Sequence, residues 1–366
     1  YNGQALPTST SNASTPDQPL ISAPATVAAQ TAQSPTTFAL PNDVWALSAP
    51  SSDTIISVLK AAKNNGPRPF SLQDDVRVSA VAYTTEERDE QLDRLIQILE
   101  KGRNPSRLKS RAIYYEESRH EGKLAMLFTG QGSQYLDMGL DLAERFTIVA
   151  KTFAEADRIL EPTLGYSITD LIKRSSKLGD DEEKREALLK QTEHSKPATL
   201  TLDIALMRLM AAHGVRPDMV AGHSLGEYAA NVGAGIMTFE QALLAVSARG
   251  KGMAEIKLDD AGKMAGIAAS ADIVIPVLKE IDGYVVAANQ NCPTQTVIAG
   301  ASASVEQASE KFKEMGHSVY PLPVSHAFHS EIVAPATAPL KDVLQSLGLQ
   351  PPRRPITTNV NADYYP

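Results

Sequence analysis

The sharpest chemical signal in the sequence is the run Gly222-His223-Ser224-Leu225-Gly226. A serine hydroxyl becomes a nucleophile when a sharp strand-to-helix turn lifts it into a cleft and a base takes its proton. Glycines two residues before and two after Ser224 permit that turn, and 218–221 reads as the short strand leading into it. The amide of Leu225, at the start of the helix expected next, would donate to a developing oxyanion. The downstream bases are His317, His326 and His329. His326-Ala327-Phe328-His329 follows a strand, a loop position suited to a cleft, but spacing alone does not choose between His326 and His329. A second turn, Gly130-Gln131-Gly132-Ser133-Gln134, also follows an apolar strand and would bring another amide donor. It lacks the Gly-Lys-Ser/Thr ending of a phosphate loop.

Elements must hold these residues in place. The pattern predicts a strand at 44–49, a helix at 51–63 opened by Ser51-Ser52-Asp53, and a strand at 76–83. A helix at 85–101 carries Leu92, Leu95, Ile96 and Leu99 on one face, and a short strand follows at 111–115. Together they make a small α/β module over 43–115 with no detectable chemistry. An apolar strand at 123–129 runs into the 130–134 turn. The stretch 180–190 is so charged that a solvated segment is expected, and 199–212 reads as an apolar helix. Helices are expected after the 222–226 turn, one of them carrying Arg249. Over 264–322 the order is β-α-β-β-α-β, with strands at 264–269, 284–288, 295–299 and 318–322 and helices at 272–280 and 302–315, the split βαβ arrangement. Helix and strand signals resume at 335–346 and 355–360, so this unit reads as an insertion.

Composition narrows the classes. Of 366 residues, 43% are hydrophobic and 21% charged, enough for a buried core. A net charge of −8 argues against nucleic acid, which needs a basic stripe. The seven histidines have no zinc-site spacing, so no metal is expected. The single Cys292 excludes an internal disulfide and fits a reducing cytoplasm. No apolar run approaches the ~20 residues that span a bilayer, and no secretory signal opens the chain. Residues 1–40, dominated by Ser, Thr, Pro, Ala and Gln, read as a disordered linker. The chain starts at Tyr1 rather than Met, and is expected to be a piece of a longer polypeptide.

Five ordered motifs, TGQGSQ at 129–134, GHSLGEY at 222–228, Arg249, NCPTQTVIAG at 291–300 and VSHAFHS at 324–330, together resemble the acyltransferase family. That family comprises the malonyl-CoA:acyl-carrier-protein transacylases and the acyltransferase domains of modular polyketide and fatty-acid synthases. The fit covers about 122–366, and 43–115 is similar to the module joining ketosynthase to acyltransferase in type I synthases. The resemblance implies an α/β fold with an α/β-hydrolase-like large subdomain at 122–260 and 323–366 and an inserted ferredoxin-like small subdomain at 261–322. It implies transfer of a malonyl group from coenzyme A to the phosphopantetheine thiol of an acyl carrier protein, through a malonyl-serine. No permanently bound cofactor is expected, and the partners are the carrier protein and covalently linked domains such as ketosynthase, with no nucleic acid and no membrane.

Residue by residue, the resemblance implies that Ser224 carries the acyl group and His329 is its base. Gln131 and Leu225 supply backbone oxyanion donors, and Arg249 holds the free carboxylate. Asn291, Gln295, His326 and Phe328 bind substrate, while His223 is structural. Physics agrees on the arginine: a guanidinium binds a carboxylate bidentately, and an acetyl group would leave it unpaired. Phe328 belongs to a HAFH pattern shared with malonyl-selective members, so its ring is expected where an α-methyl would sit; one methyl gives only partial discrimination.

Two departures stand out. Lys196 occupies a position where the family usually has Gln. The sequence also stops at Pro366, before the family's closing segment, which supplies a carbonyl that orients the base, so His329 is expected to be poorly oriented. Two other readings remain. A serine hydrolase would want an acid between Ser224 and its histidine, and Asp259, Asp260, Asp272 and Asp282 lie in or near the inserted unit. A non-catalytic scaffold would leave the assembled residue types without purpose.

Overall fold

In the computed structural model the described residues are 44–65, 74–118, 122–256 and 258–366. The expected linker at 1–40 lies outside them. The alternating apolar residues of Val44–Ala49 (β1), Val76–Val81 (β2) and Ile113–Glu116 (β3) form an antiparallel sheet in the order β1-β2-β3. Ser52–Asn65 (α1) and Thr85–Glu100 (α2) add their apolar faces to the same core, through Ile55, Leu59, Leu92 and Leu95. Thr84 caps α2 by accepting from the Glu87 amide at 3.1 Å.

Ala125–Phe128 (β4) starts the next part. The helices Leu140–Arg145 (α3), Thr147–Leu164 (α4), Ile168–Ile172 (α5), Glu182–Lys190 (α6) and Thr192–Ala212 (α7) separate it from its partner strand, Met219–Gly222 (β5). The two strands pair in parallel, Phe128 opposite Gly222, so the turns after both strands open side by side. Gly226–Ala234 (α8) and Phe239–Ala254 (α9) follow. Phe128, Phe153, Leu200, Ile204, Val220 and Leu243 form the centre of a buried apolar core. The strand expected at 355–360 is reduced to a parallel bridge between Ile356 and Val220. Beyond it Thr357 turns back to bridge Tyr364, and the Asn359 side chain is diverted into the 222–226 turn.

Two further expectations are corrected here. The helix expected at 199–212 begins seven residues earlier, at Thr192, and is buried through its first turns. Polar residues and Pro197 mask this start, because both read as helix-breaking in isolation. The charged stretch 180–190 is not simply solvated: it is α6, with Arg185 2% exposed and Leu189 buried. The Arg185 guanidinium donates to the carbonyls of Asp170, Leu171 and Lys173, the last two at 2.8 and 2.9 Å. It thereby satisfies the free carbonyls at the end of α5.

Lys263–Ile267 (β6), Ala271–Leu278 (α10), Val285–Cys292 (β7), Gln295–Gly300 (β8), Ser302–Glu314 (α11) and Val319–Leu322 (β9) make a four-stranded antiparallel sheet. Its order, β7-β8-β6-β9, places the first and third strands at the centre, as in the split βαβ unit. Thr337–Ser346 (α12) packs back on α9.

Arg185→Met keeps the bulk and removes the hydrogen bonds to three carbonyls at the end of α5. The substitution is expected to destabilise the protein by about 2 kcal/mol, read as a lowered midpoint of urea unfolding. An unchanged midpoint would mean that α5 ends without this guanidinium.

Candidate functional site

The turn between β5 and α8 closes because two glycines let backbone meet backbone. A Cβ on Gly222 would stand 2.0 Å from the Gly226 carbonyl, and one on Gly226 2.4 Å from the Phe128 oxygen. The turn forces Ser224 to φ 51°, a left-handed conformation that non-glycine residues seldom hold. Asn359 braces it from the far end of the chain. Its Oδ1 accepts from the Ser224 amide at 2.8 Å and its Nδ2 donates to the Gly222 carbonyl at 2.7 Å. Asn359 is itself anchored, its amide donating to Glu227 at 3.1 Å.

Ser224 Oγ lies 2.8 Å from His329 Nε2. His329 follows β9 in a loop pinned by the Ala327 amide donating to the Ala261 carbonyl and by Ser330 Oγ donating to the Ala327 carbonyl. Its backbone is also left-handed, at φ 60°. The loop's own backbone brings Nε2 to the serine, and no hydrogen bond to Nδ1, the nitrogen whose partner would fix the tautomer, is made among the described residues. Solvent reaches the residue through the mouth of the cleft, yet the ring is packed deeply enough that burial is the first cause lowering its pKa to about 4. Arg249, His223 and Lys196 push the same way, so the imidazole is neutral at pH 7. With its proton on Nδ1, Nε2 accepts the Ser224 hydroxyl proton.

The amides of Leu225 and Gln131 have no protein acceptor among the described residues, whereas the Ser224 amide is taken by Asn359. A pair of free amides beside an activated hydroxyl can hold an oxyanion.

Ser224 opens into a cleft of about 250 Å³ between the helical part and the four-stranded sheet. Gln131, Arg249, Asn291, Gln295, Phe328 and His329 all line it, with His223 and Lys196. His223 Nε2 meets Asn291 Oδ1 at 2.9 Å, and Asn291 Nδ2 donates to Gln295 at 3.0 Å, so these side chains form one chain of hydrogen bonds along the wall. Arg249 lies 5.8 Å from the Tyr228 ring centroid and has no carboxylate partner among the described residues. Lys196 donates to Gln131 Oε1 at 2.7 Å.

One expected residue falls outside the cleft. His326 does not line it; its Nδ1 meets Ser325 Oγ at 3.0 Å, and the ring lies beside Phe328. The left-handed turn at His329 brings that residue, not His326, to the serine. Asn359 carries no mark of a site residue in the sequence, because a polar residue after a Thr-Thr pair gives no signal of a contact made 135 positions away. Among the described residues no group of His, Cys, Asp and Glu could hold a metal ion, and no helix is long and apolar enough to cross a membrane.

Comparison with known proteins shows what the chain is similar to. Residues 125–364 match the acyl transferase domain family. The malonyl CoA-acyl carrier protein transacylase of Bacillus subtilis is 40% identical over 246 residues, 66% of this chain and 74% of that protein. The spectinabilin polyketide synthase system protein NorB of Streptomyces orinoci is 34% identical over 243 residues, which cover 66% of this chain but only 11% of the synthase. Among solved structures, a malonyl-transacylase in complex with a type II polyketide synthase acyl-carrier protein (PlMCAT:AntF) aligns with a TM-score of 0.60 at 36% identity, over 67% of this chain and 76% of that one.

Asn359→Ala frees the Ser224 amide and removes the brace on Gly222. Reaction of Ser224 with an acylating probe is expected to slow roughly 10- to 100-fold while the fold is kept; full reactivity would show that the glycines alone hold the turn. The pH profile follows from His329. A neutral ring is the proton acceptor, and burial keeps it neutral down to about pH 4. Reactivity should therefore fall on the acid side near that value. An acid limb near the ordinary histidine value of about 6.5 would contradict it.

Proposed function

The chain belongs to the acyl transferase domain family, and on that premise we propose that it moves a malonyl group from a coenzyme A thioester to the phosphopantetheine thiol of an acyl carrier protein. The observation that carries the proposal is the Ser224–His329 contact of 2.8 Å in a cleft that also holds Arg249, which has no carboxylate partner among the described residues.

Ser224 Oγ attacks the thioester carbonyl as His329 Nε2 takes its proton. The carbonyl oxygen, now anionic, sits against the amides of Leu225 and Gln131. The C–S bond then breaks, the coenzyme A thiolate leaves with the proton returned by His329, and malonyl remains on Ser224 as an ester. In the second half the carrier thiol gives its proton to His329 and attacks that ester, and Ser224 recovers its hydrogen. Arg249 takes the free carboxylate, and Phe328, buried at the cleft wall, fills the space beside the α-carbon. The acceptor assignment is supported by the relative that is named a malonyl CoA-acyl carrier protein transacylase and by the solved transacylase–carrier complex.

The likeness to one part of NorB supports a place within a larger synthase. In that setting the module expected at 43–115 would join this unit to a neighbouring ketosynthase. Coenzyme A chemistry and the exposed free thiol of Cys292 fit the cytoplasm.

Incubation with malonyl-CoA is expected to add one malonyl group to the intact mass, mapping to Ser224 and absent in Ser224→Ala. A labelled peptide elsewhere would overturn the assignment. Arg249→Ala should lower malonyl transfer by about 10- to 100-fold, the loss of a charge-assisted pair, while acetyl transfer falls far less. Equal losses for both thioesters would make Arg249 a structural residue.

A further inference from the structure

The cleft holds a second basic side chain that makes no ion pair among the described residues. Lys196, in the early turns of α7, is 2% exposed and lines the same cavity as Ser224 and Arg249. Its Nζ donates to Gln131 Oε1 at 2.7 Å and lies 5.1 Å from the Phe328 ring centroid. No carboxylate pairs with Lys196 or Arg249 among the described residues. Burial is the first cause lowering the Lys196 pKa to about 7; Arg249 lowers it further, and the half-buried Glu193 on the same helix opposes them. Two cations facing one enclosed space repel each other, and a buried unpaired charge is costly. Such an arrangement gains stability when an anion enters between them.

We propose that Lys196 is a second specificity-determining residue, whose ammonium joins the Arg249 guanidinium in holding the free carboxylate of the malonyl group. The inference rests on the proposed function. It differs from a brace on Gln131, which Lys196 also provides together with Thr192, whose Oγ1 accepts from Gln131 Nε2 at 3.3 Å. A brace serves every acyl group alike, because the Gln131 amide faces the reacting carbonyl. A carboxylate contact serves only acyl groups that carry a carboxylate.

The test uses the full chain and measures acylation of Ser224 by malonyl-CoA and by acetyl-CoA, with rapid quenching and intact mass. Lys196→Met keeps the length and removes the charge. It is expected to lower the malonyl-to-acetyl ratio of kcat/KM about 10- to 100-fold, the range for a lost hydrogen bond to a charged group. The loss should appear mainly in KM for malonyl-CoA, and Lys196→Arg should recover part of the ratio. Equal slowing with both thioesters would reduce Lys196 to a brace on Gln131, and an unchanged ratio would remove it from recognition altogether. Should the Met variant lose its fold by circular dichroism, Lys196→Gln, which keeps a polar contact to Gln131 without the charge, gives the same readout. Failure of the unsubstituted protein to take malonyl at all would instead strike the proposed function, and this inference with it.

Discussion

Everything at the site depends on a backbone approach closer than any side chain allows. Gly226 packs against the Phe128 carbonyl and Gly222 against Gly226, so that β5, its turn and α8 fold back on themselves beside β4. The cost is concentrated at Ser224, held left-handed without the freedom of glycine. That strain persists because other interactions over-determine it: the parallel pairing of β4 with β5, and Asn359 gripping the turn on either side of the serine. The same geometry leaves the Leu225 amide without a protein partner among the described residues. Strain at one residue thus supports both the exposed hydroxyl and the empty donor next to it.

Electrostatics set the second constraint. Arg249, Lys196 and His223 share a partly enclosed space with the imidazole of His329, and all three make its protonated form less favourable. The cleft therefore holds its base uncharged and ready to accept a proton while keeping a positive surround. A negatively charged substrate enters to relieve that surround. Its arrival offsets some of the repulsion on His329, so substrate binding and base strength are linked through the same few side chains.

What was legible in the sequence divides by distance along the chain. The Ser224 turn was readable because its logic is local: two glycines, a strand before and a helix after. The β-α-β-β-α-β order of the sheet that forms the cleft's other wall was readable for the same reason, through alternating and helical periods. Choosing His329 over His326 needed family resemblance, because only a single left-handed residue decides which imidazole meets the serine. The early start of α7 was hidden by polar residues and Pro197, whose burial is a tertiary effect. Arg185 looked like one more charge in a solvated run, and its role depends on carbonyls 12 to 15 residues upstream. Asn359 was invisible as a site residue for the most extreme version of that reason, its partner being 135 positions away.

The nucleophile and its base belong to different sheets. Ser224 lies in the turn after a strand of the parallel pair, while His329 follows the last strand of the antiparallel four. Their contact crosses from one wall of the cleft to the other, and among the described residues the walls are joined there by side-chain packing, Met253 of α9 with Met264 and Val297 of the sheet, and by no strand pairing. A displacement of about 1 Å at such a contact can cost on the order of 100-fold in rate. The hydrogen bond between them therefore works as a gauge of alignment: whatever presses the two walls together, including a thioester lodged in the cleft or a large protein seated across its mouth, tunes the chemistry without touching either residue.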